Sequence, residues 1–375
     1  MEPTRYVCQS NMCNGCMACL HVCKKDAITV YEEPMAYNAV IDPSKCVNCG
    51  QCEKVCPRCS TVEAKPPTTW VQGWAKDSKV RQMGASGGYA SAIMQAFIAK
   101  WRGCVVSCIF QEGDFRFAVA RTVEECGRFC GSKYVKSNPK QAYTQVQALL
   151  REGEKVLFIG LPCQVAGIKN AISLSDQKNL YTIDLICHGT PAPRLLGQYI
   201  GELQGKDLVD ISSLVFRQKM RFVLSCETEM LLPIGVQDRY MMAFLNSLDY
   251  TENCYHCEYA KTERISDISL GDSWAGNFPE SEIHQGVSLA LCQTEKGKSL
   301  LYLADIEMQP ADVDASIAAN KQLRKPSVAP KPSKRFWKCL AMGLRFKTAV
   351  FVAYPQNCIR QKVKELLIKM HMRKN

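Results

Sequence analysis

Two runs of cysteine with one spacing constrain this chain more than anything else in it. Cys13, Cys16, Cys19 and Cys23 form the first run; Cys46, Cys49, Cys52 and Cys56 repeat it, and Pro57 follows the second. An iron–sulfur cube offers four iron corners to thiolates. A tight loop with a cysteine at every third position wraps three corners, and in two-cluster ferredoxins the fourth ligand arrives from the other run. The spacing therefore assigns Cys13, Cys16, Cys19 and Cys56 to one 4Fe–4S cluster, and Cys46, Cys49, Cys52 and Cys23 to a second. Zinc is the competing reading, but it normally takes two separated cysteine pairs. Lys24 stands where a proline usually closes the first run, which loosens a turn and removes no ligand. Gly15 and Gly50 give each loop backbone freedom.

Ten of the 22 cysteines precede position 60 in a chain of 375 residues. No secretory leader is legible and no apolar run reaches the ~18 residues of a spanning helix. The expected location is cytoplasmic, where thiols hold metal more often than disulfides. Cys8 and Cys59, just outside the runs, read as spare thiols. The net charge of +11 raises the question of nucleic acid, but residues 331–375 hold twelve Lys and Arg against one acid, Glu365. That segment accounts for the whole excess and the preceding body is balanced. No basic stripe crosses a globular face, and a nucleic-acid partner is not expected.

Residues 1–60 read as the cluster module. Residues 61–72, with Pro66 and Pro67, read as a linker. Residues 73–320 alternate β-rich and helical stretches, which points to an α/β or α+β domain. Strands are expected over 105–110, 156–159 and 181–186, and helices over 88–101, 140–151 and 192–203. A proline-bearing break at 325–334 leads into a basic tail, 321–375, with a short helix.

Four further cysteines have distinctive settings. Cys163 lies in Gly160-Leu161-Pro162-Cys163-Gln164, between a strand and a helix. Cys187 ends a strand in Asp184-Leu185-Ile186-Cys187-His188-Gly189. Cys254 and Cys257 form one Cys-x-x-Cys. They are candidates for a third metal centre, against the competing reading of buried free thiols. Cys104, Cys108, Cys126, Cys130, Cys226, Cys292, Cys339 and Cys358 read as small apolar side chains. The turn Gly84-Ala85-Ser86-Gly87-Gly88 opens a helix, so it reads either as an anion cradle or as an ordinary helix start with Ser86 as its cap. His21, His188 and His256 neighbour the candidate ligands and read as supporting or exposed residues rather than catalytic ones.

With these residues a family resemblance appears. Ser86-Gly87-Gly88, Gly131-Ser132-Lys133-Tyr134-Val135, Gly160 to Val165, Asp184 to Pro191, Asn253-Cys254-Tyr255-His256-Cys257 and Ser266 to Asp272 occur in an order that resembles the family of coenzyme F420 hydrogenase/dehydrogenase beta subunits. The resemblance covers about residues 75–300. It implies a mixed α/β fold: a bacterial-ferredoxin-like module followed by a larger mixed-sheet flavin-binding domain. It also implies FAD, a third 4Fe–4S cluster on Cys163, Cys187, Cys254 and Cys257, flavin contacts from Ser86, Gly87, Gly88 and Lys133, and a place for Gln164 beside the flavin or the cluster. Many relatives have a Gly-Trp pair after the Phe-Arg-x-Lys segment; here Phe216-Arg217-Gln218-Lys219 runs into Met220-Arg221-Phe222, so the substrate pocket is expected to differ.

The expected function is that of an iron–sulfur flavoprotein oxidoreductase. It would pass electrons between a hydride carrier, deazaflavin or nicotinamide, and a redox carrier or partner redox subunit. A flavin-free electron-transfer adaptor is the alternative. In the tail, Val363, Leu366, Leu367 and Met370 share helical spacing within 360–373. The helix is expected to fold against its own domain with a solvated basic face, with contact to an anionic membrane or an acidic partner as the alternative.

Overall fold

The computed structural model describes residues 4–370, except 228 and 231, and only the backbone of 229–230. The first module is built on β1 (Arg5–Tyr6), α1 (Ala18–Val22), β2 (Ile28–Glu32), β3 (Tyr37–Ile41) and α2 (Gln51–Val55). Its three strands are antiparallel in the order β1-β3-β2. The repeat seen in the sequence is also a backbone repeat. Gly15 and Met17 in the first loop, and Asn48 and Gly50 in the second, occupy the same loop positions and all take left-handed φ angles, from 55° to 70°. Each loop thus spends one glycine and strains one other residue.

The second module runs through β4 (Thr69–Ala75), α3 (Ser78–Met83), α4 (Tyr89–Trp101), β5 (Cys104–Gln111), β6 (Asp114–Ala120), α5 (Lys140–Arg151), β7 (Val156–Gly160), α6 (Pro162–Ala171), β8 (Leu180–Leu185) and α7 (Pro193–Gln204). It continues with β9 (Leu214–Gln218), β10 (Arg221–Cys226), β11 (Glu229–Met230), α8 (Arg239–Leu245), α9 (Glu252–Tyr255), β12 (Ile268–Asp272), α10 (Glu280–Gln285), β13 (Ser288–Cys292), α11 (Glu295–Leu303), β14 (Ile306–Pro310) and α12 (Val313–Ala319). Eight strands form one mixed sheet in the order β14-β4-β13-β12-β8-β7-β5-β6. Its centre, β12-β8-β7-β5, is parallel and its flanks are antiparallel. β7 is buried at every residue, as a parallel strand covered on both faces must be. In α5, Ala142, Tyr143, Val146, Leu149 and Leu150 recur at helical spacing and are all buried. The expected mixed α/β class holds, and the strands and helices anticipated here form within a residue or two of their expected ends.

The two modules share a core. Cys16, Met17, Ala18, Ile28 and Val55 of the first pack with Val146, Phe158, Val165 and Ile168 of the second. The Tyr143 hydroxyl donates to the Cys16 carbonyl at 2.6 Å, and the Asn170 amide to Ser60 O at 2.9 Å. The segment 61–72 is not a free linker. Lys65 bridges to Arg264 through two backbone bonds of 2.7 and 2.9 Å, and β4 starts at Thr69, inside the expected linker.

The C-terminal region holds more than the one short helix expected. It forms α13 (Ser333–Ala341), α14 (Phe346–Ala353) and α15 (Pro355–Lys369). Phe336, Phe346, Ala349 and Val350 enter a core with Tyr199, Phe216, Tyr240 and Met242. The helix expected over 360–373 forms as part of α15 and does fold against its own domain, but through Cys358, Gln361 and Glu365; residues 371–373 lie outside the described ones. Glu365 carries 8 % exposure and takes salt bridges from Lys362 and Lys369.

Candidate cluster and cofactor sites

Cys13, Cys16, Cys19 and Cys56 line one cavity, so the fold brings the fourth cysteine of the second run to the first three of the first run. Cys8, read as a spare thiol, lines the same cavity. The Cys8 thiol, a hydrogen-bond partner of Cys13 and Cys56, helps hold the Cys13 thiol below its ordinary range and brings Cys56 down to about 6. Burial pushes Cys16 and Cys19 up. The loop donates backbone N–H from Gly15 to Cys13 Sγ at 3.4 Å, and the second loop repeats this with Asn48 N and Cys46 Sγ, also at 3.4 Å. Cys23, Cys46 and Cys52 are half-buried and Cys49 is exposed, so this second set lies toward solvent.

Cys163, Cys187, Cys254 and Cys257 line a second cavity, of about 510 Å³ including its open mouth. The elements that carry them explain why. Cys163 is the second residue of α6, just beyond the end of β7. Cys187 lies two residues past β8, and Cys254 and Cys257 sit on and just after α9. The cavity is therefore at the carboxyl ends of parallel strands, where open α/β sheets place their ligands. Burial pushes Cys163 up to about 12 and also raises Cys187 and Cys257. Burial works against ionisation of Cys254 too, but Lys136 and hydrogen bonds from Thr251 and Thr190 bring its thiol below the ordinary value.

Five thiols in the first cavity and four in the second suit thiolate-held clusters, which take four each. Among the described residues, no three His, Cys, Asp or Glu side chains converge as a single ion would require.

Asn14 lines both cavities, and Lys136 lines the second while its ammonium donates to the Asn14 carbonyl at 3.3 Å. Lys136 is 3 % exposed and lies 5.3 Å from the centre of the Tyr37 ring. The Asn253 amide donates to Asn14 Oδ1 at 3.2 Å, tying the Cys-x-x-Cys segment to the first cluster loop. Below the cavity, Asp184 and Arg264, both essentially buried, pair at 2.6 Å, and Arg264 also donates to Tyr259 O and Leu185 O. That pair locks the Cys187 strand end to the loop after Cys257. His188 lines the cavity and burial lowers its pKa; His256 is an exposed partner of Glu252, and His21 stacks on Tyr143.

The glycine-rich turn takes a different form from either expectation. The residue that caps α4 is Gly88, left-handed at φ 87°, and the Ser86 hydroxyl donates instead to Val287 O at 2.8 Å. A Cβ on Gly87 would meet Gly73 O at 2.4 Å, so this glycine is required by close backbone packing. The Lys219 ammonium enters the turn and donates to the carbonyls of Arg81, Gly84 and Ser86, the last two at 2.7 and 2.9 Å. Burial, then Arg81 and Arg217, lower Lys219 to about 8. Arg217 holds Asp272 through two bonds of 2.7 Å, and Arg81 pairs with Glu282. Three cations thus surround the turn against two carboxylates and leave it net positive.

Lys133 and Gln164 are not at this turn. Lys133 donates to the carbonyls of Phe129, Cys130 and Gly131. Gln164 is buried; its Oε1 accepts from Leu161 N and its Nε2 donates to Ser137, which fixes the start of α6 and so the position of Cys163. Sequence reasoning missed Asn14, Lys136 and Lys219 as site residues. Lys136 directly follows the Gly131-to-Val135 motif and Lys219 closes the Phe-Arg-x-Lys segment, so their motifs were the available signal.

Known proteins agree with the resemblance read from the motifs. Residues 153–313 match the family described as the C terminus of the coenzyme F420 hydrogenase/dehydrogenase beta subunit. Residues 12–59 match the 4Fe–4S dicluster domain. The chain is 24% identical over 305 residues to a subunit of the F(420)H(2) dehydrogenase of Methanosarcina mazei, covering 74% of this chain and 81% of that protein. Among solved structures it resembles a chain of the F420-reducing NiFe hydrogenase complex from Methanosarcina barkeri. The TM-score is 0.51 at 18% identity, over 75% of this chain and 97% of that one, a likeness of fold.

Proposed function

We propose that this chain, a 4Fe–4S dicluster domain joined to a region of the coenzyme F420 hydrogenase/dehydrogenase beta type, is an iron–sulfur flavoprotein that exchanges electrons between a hydride carrier and a partner redox protein. The observation that carries the reading is Asn14, common to the walls of both thiol-lined cavities. When bound, FAD would supply hydride exchange and the clusters single-electron carriage. Cys163, Cys187, Cys254 and Cys257 would hold the cluster of the large domain, Cys13, Cys16, Cys19 and Cys56 the inner one of the module, and Cys46, Cys49, Cys52 and Cys23 the outer one. Arg81, Arg217 and Lys219, with the turn Ser86-Gly87-Gly88, would hold the flavin phosphates. Gln164 orients Cys163, Lys136 supplies positive charge between two thiol sets, and the shared core excludes water between them.

Lys133 and Gln164 spend their polar atoms inside the protein, which favours the flavin-free adaptor as the second reading. Anaerobic purification with iron, sulfide and flavin assays separates the two. About twelve irons with FAD support the flavoprotein, about twelve irons without FAD the adaptor. The holoprotein should then bleach in its cluster absorbance with one of reduced deazaflavin, NADH or NADPH. No bleaching with any of them, in flavin-replete protein, refutes the hydride-carrier reading.

A further inference from the structure

The surface of α15 does not follow from the redox sites. Successive residues of a helix turn by about 100°. On that wheel Ile359, Val363, Leu366 and Met370 fall within one narrow sector, and they are 53, 49, 48 and 58 % exposed. The opposite side is the one seated on the body. Cys358 and Glu365 are buried there, the Gln361 side chain accepts from Gln237 N at 3.0 Å, and Lys364 reaches Gly235 O. An amphipathic helix in a globular protein normally turns its apolar face to the core. This one turns it outward.

Cations border the stripe on both flanks. Lys362 and Lys369 lie along one side and Arg360 along the other. Glu365 sits behind Lys362 and Lys369 and pairs with both. It is also the only acid among residues 331–375, which hold twelve Lys and Arg. Phe351 and Val352, at the end of α14, are exposed as well.

We propose that α15 is a membrane-surface helix that lays this stripe into the headgroup region of a bilayer rich in anionic lipid. Two features favour a lipid surface over an acidic protein groove. A groove wraps most of a helix, whereas the inner side of α15 is already committed to its own domain and only an outward strip is free. Cations on both flanks of a thin apolar strip match a plane of anionic headgroups, with lysine stems lying along the apolar boundary. No helix among the described residues is long and apolar enough to cross a membrane, so the contact is peripheral. This assignment does not depend on which cofactors the protein carries.

The test is co-sedimentation of the full-length, iron-replete protein with vesicles of phosphatidylcholine alone or with about a third phosphatidylglycerol. Binding to the anionic vesicles only, weakened at least tenfold by raising salt, is expected. Val363→Glu with Leu366→Glu, both at exposed positions, should abolish binding without changing iron content or the cluster spectrum. Retained binding in that variant, or no binding of the wild type to anionic vesicles at low salt, overturns the proposal. So does a wild type that dimerises through this face, with the double variant monomeric and vesicles ignored by both.

Discussion

Replacing Lys136 with Met tests the electrostatics of the two inner thiol sites. Lys136 is buried, with one hydrogen bond to Asn14 O and a tyrosine face beside it, and among the described residues no carboxylate pairs with it. A buried ammonium of this kind needs negative charge nearby. The thiolates on either side supply it, and Lys136 in turn favours ionisation of Cys13, Cys163 and Cys254. Reduction adds an electron to each bound cluster, so a fixed positive charge favours the reduced state. For a unit charge ~8 Å away at an effective dielectric constant of ~20, the interaction is about 2 kcal/mol. At 59 mV per factor of ten for one electron, that is about 90 mV. With the three clusters proposed above, Lys136→Met should lower two of their potentials by this order, while Lys136→Arg restores most of the loss. The third, on the solvent side, should move far less. Anaerobic potentiometric titration followed by electron paramagnetic resonance reads all three. Unchanged potentials in iron-replete Lys136→Met refute the argument.

Cys163→Ala should remove about four irons and leave about eight, measured against protein; an unchanged iron content removes Cys163 from the ligand set. Arg264→Met leaves Asp184 buried without its partner and should cost about 3–5 kcal/mol in urea unfolding. A loss under about 1 kcal/mol would mean that the pair is not what locks the two cysteine segments. Asp249 is fully buried, both carboxylate oxygens lack a partner, and burial raises its pKa to about 8. The folded state therefore holds a proton that the unfolded state releases near pH 4, so the contribution of Asp249 to stability falls as pH rises from there and levels off above about 8. Between pH 5 and 9 the wild type should lose several kcal/mol that Asp249→Asn does not; parallel pH curves would show that Asp249 finds a partner.

The cysteine runs were legible because ligand chemistry fixes both residue type and spacing, and the fold sets Cys56 in the wall of the cavity lined by Cys13, Cys16 and Cys19. The strands β5, β7 and β8 announced themselves as short apolar runs between turn signals. β4 did not: it carries Gln72 and Gly73 and follows two prolines, and it is strand because β13 and β14 pair with it on either side. In the tail the expected helix and its docking on its own domain were legible, but the residues that dock the rest of the segment were not: Phe336, Phe346 and Val350 find their apolar partners on α7 and α8, far away in sequence. Lys136 and Lys219 adjoin or close recognisable motifs, but a motif does not tell which of its lysines faces a site; only the fold shows which one is buried and what it faces.

The two cluster loops match in backbone but not in surroundings. A side chain at Gly15 would press on Lys136 and Tyr37 at 3.1 Å, whereas one at Gly50 would meet nothing within 4 Å. The duplicated module thus has a sealed end and an open end, and this gives the assembly polarity. On the proposed function, a redox partner would dock at the Cys49 end without disturbing the interior. The same openness makes that end the first to meet dioxygen. On the proposed cluster assignment, air should strip the cluster at this end before the others, and iron content should fall by about four before the rest is lost.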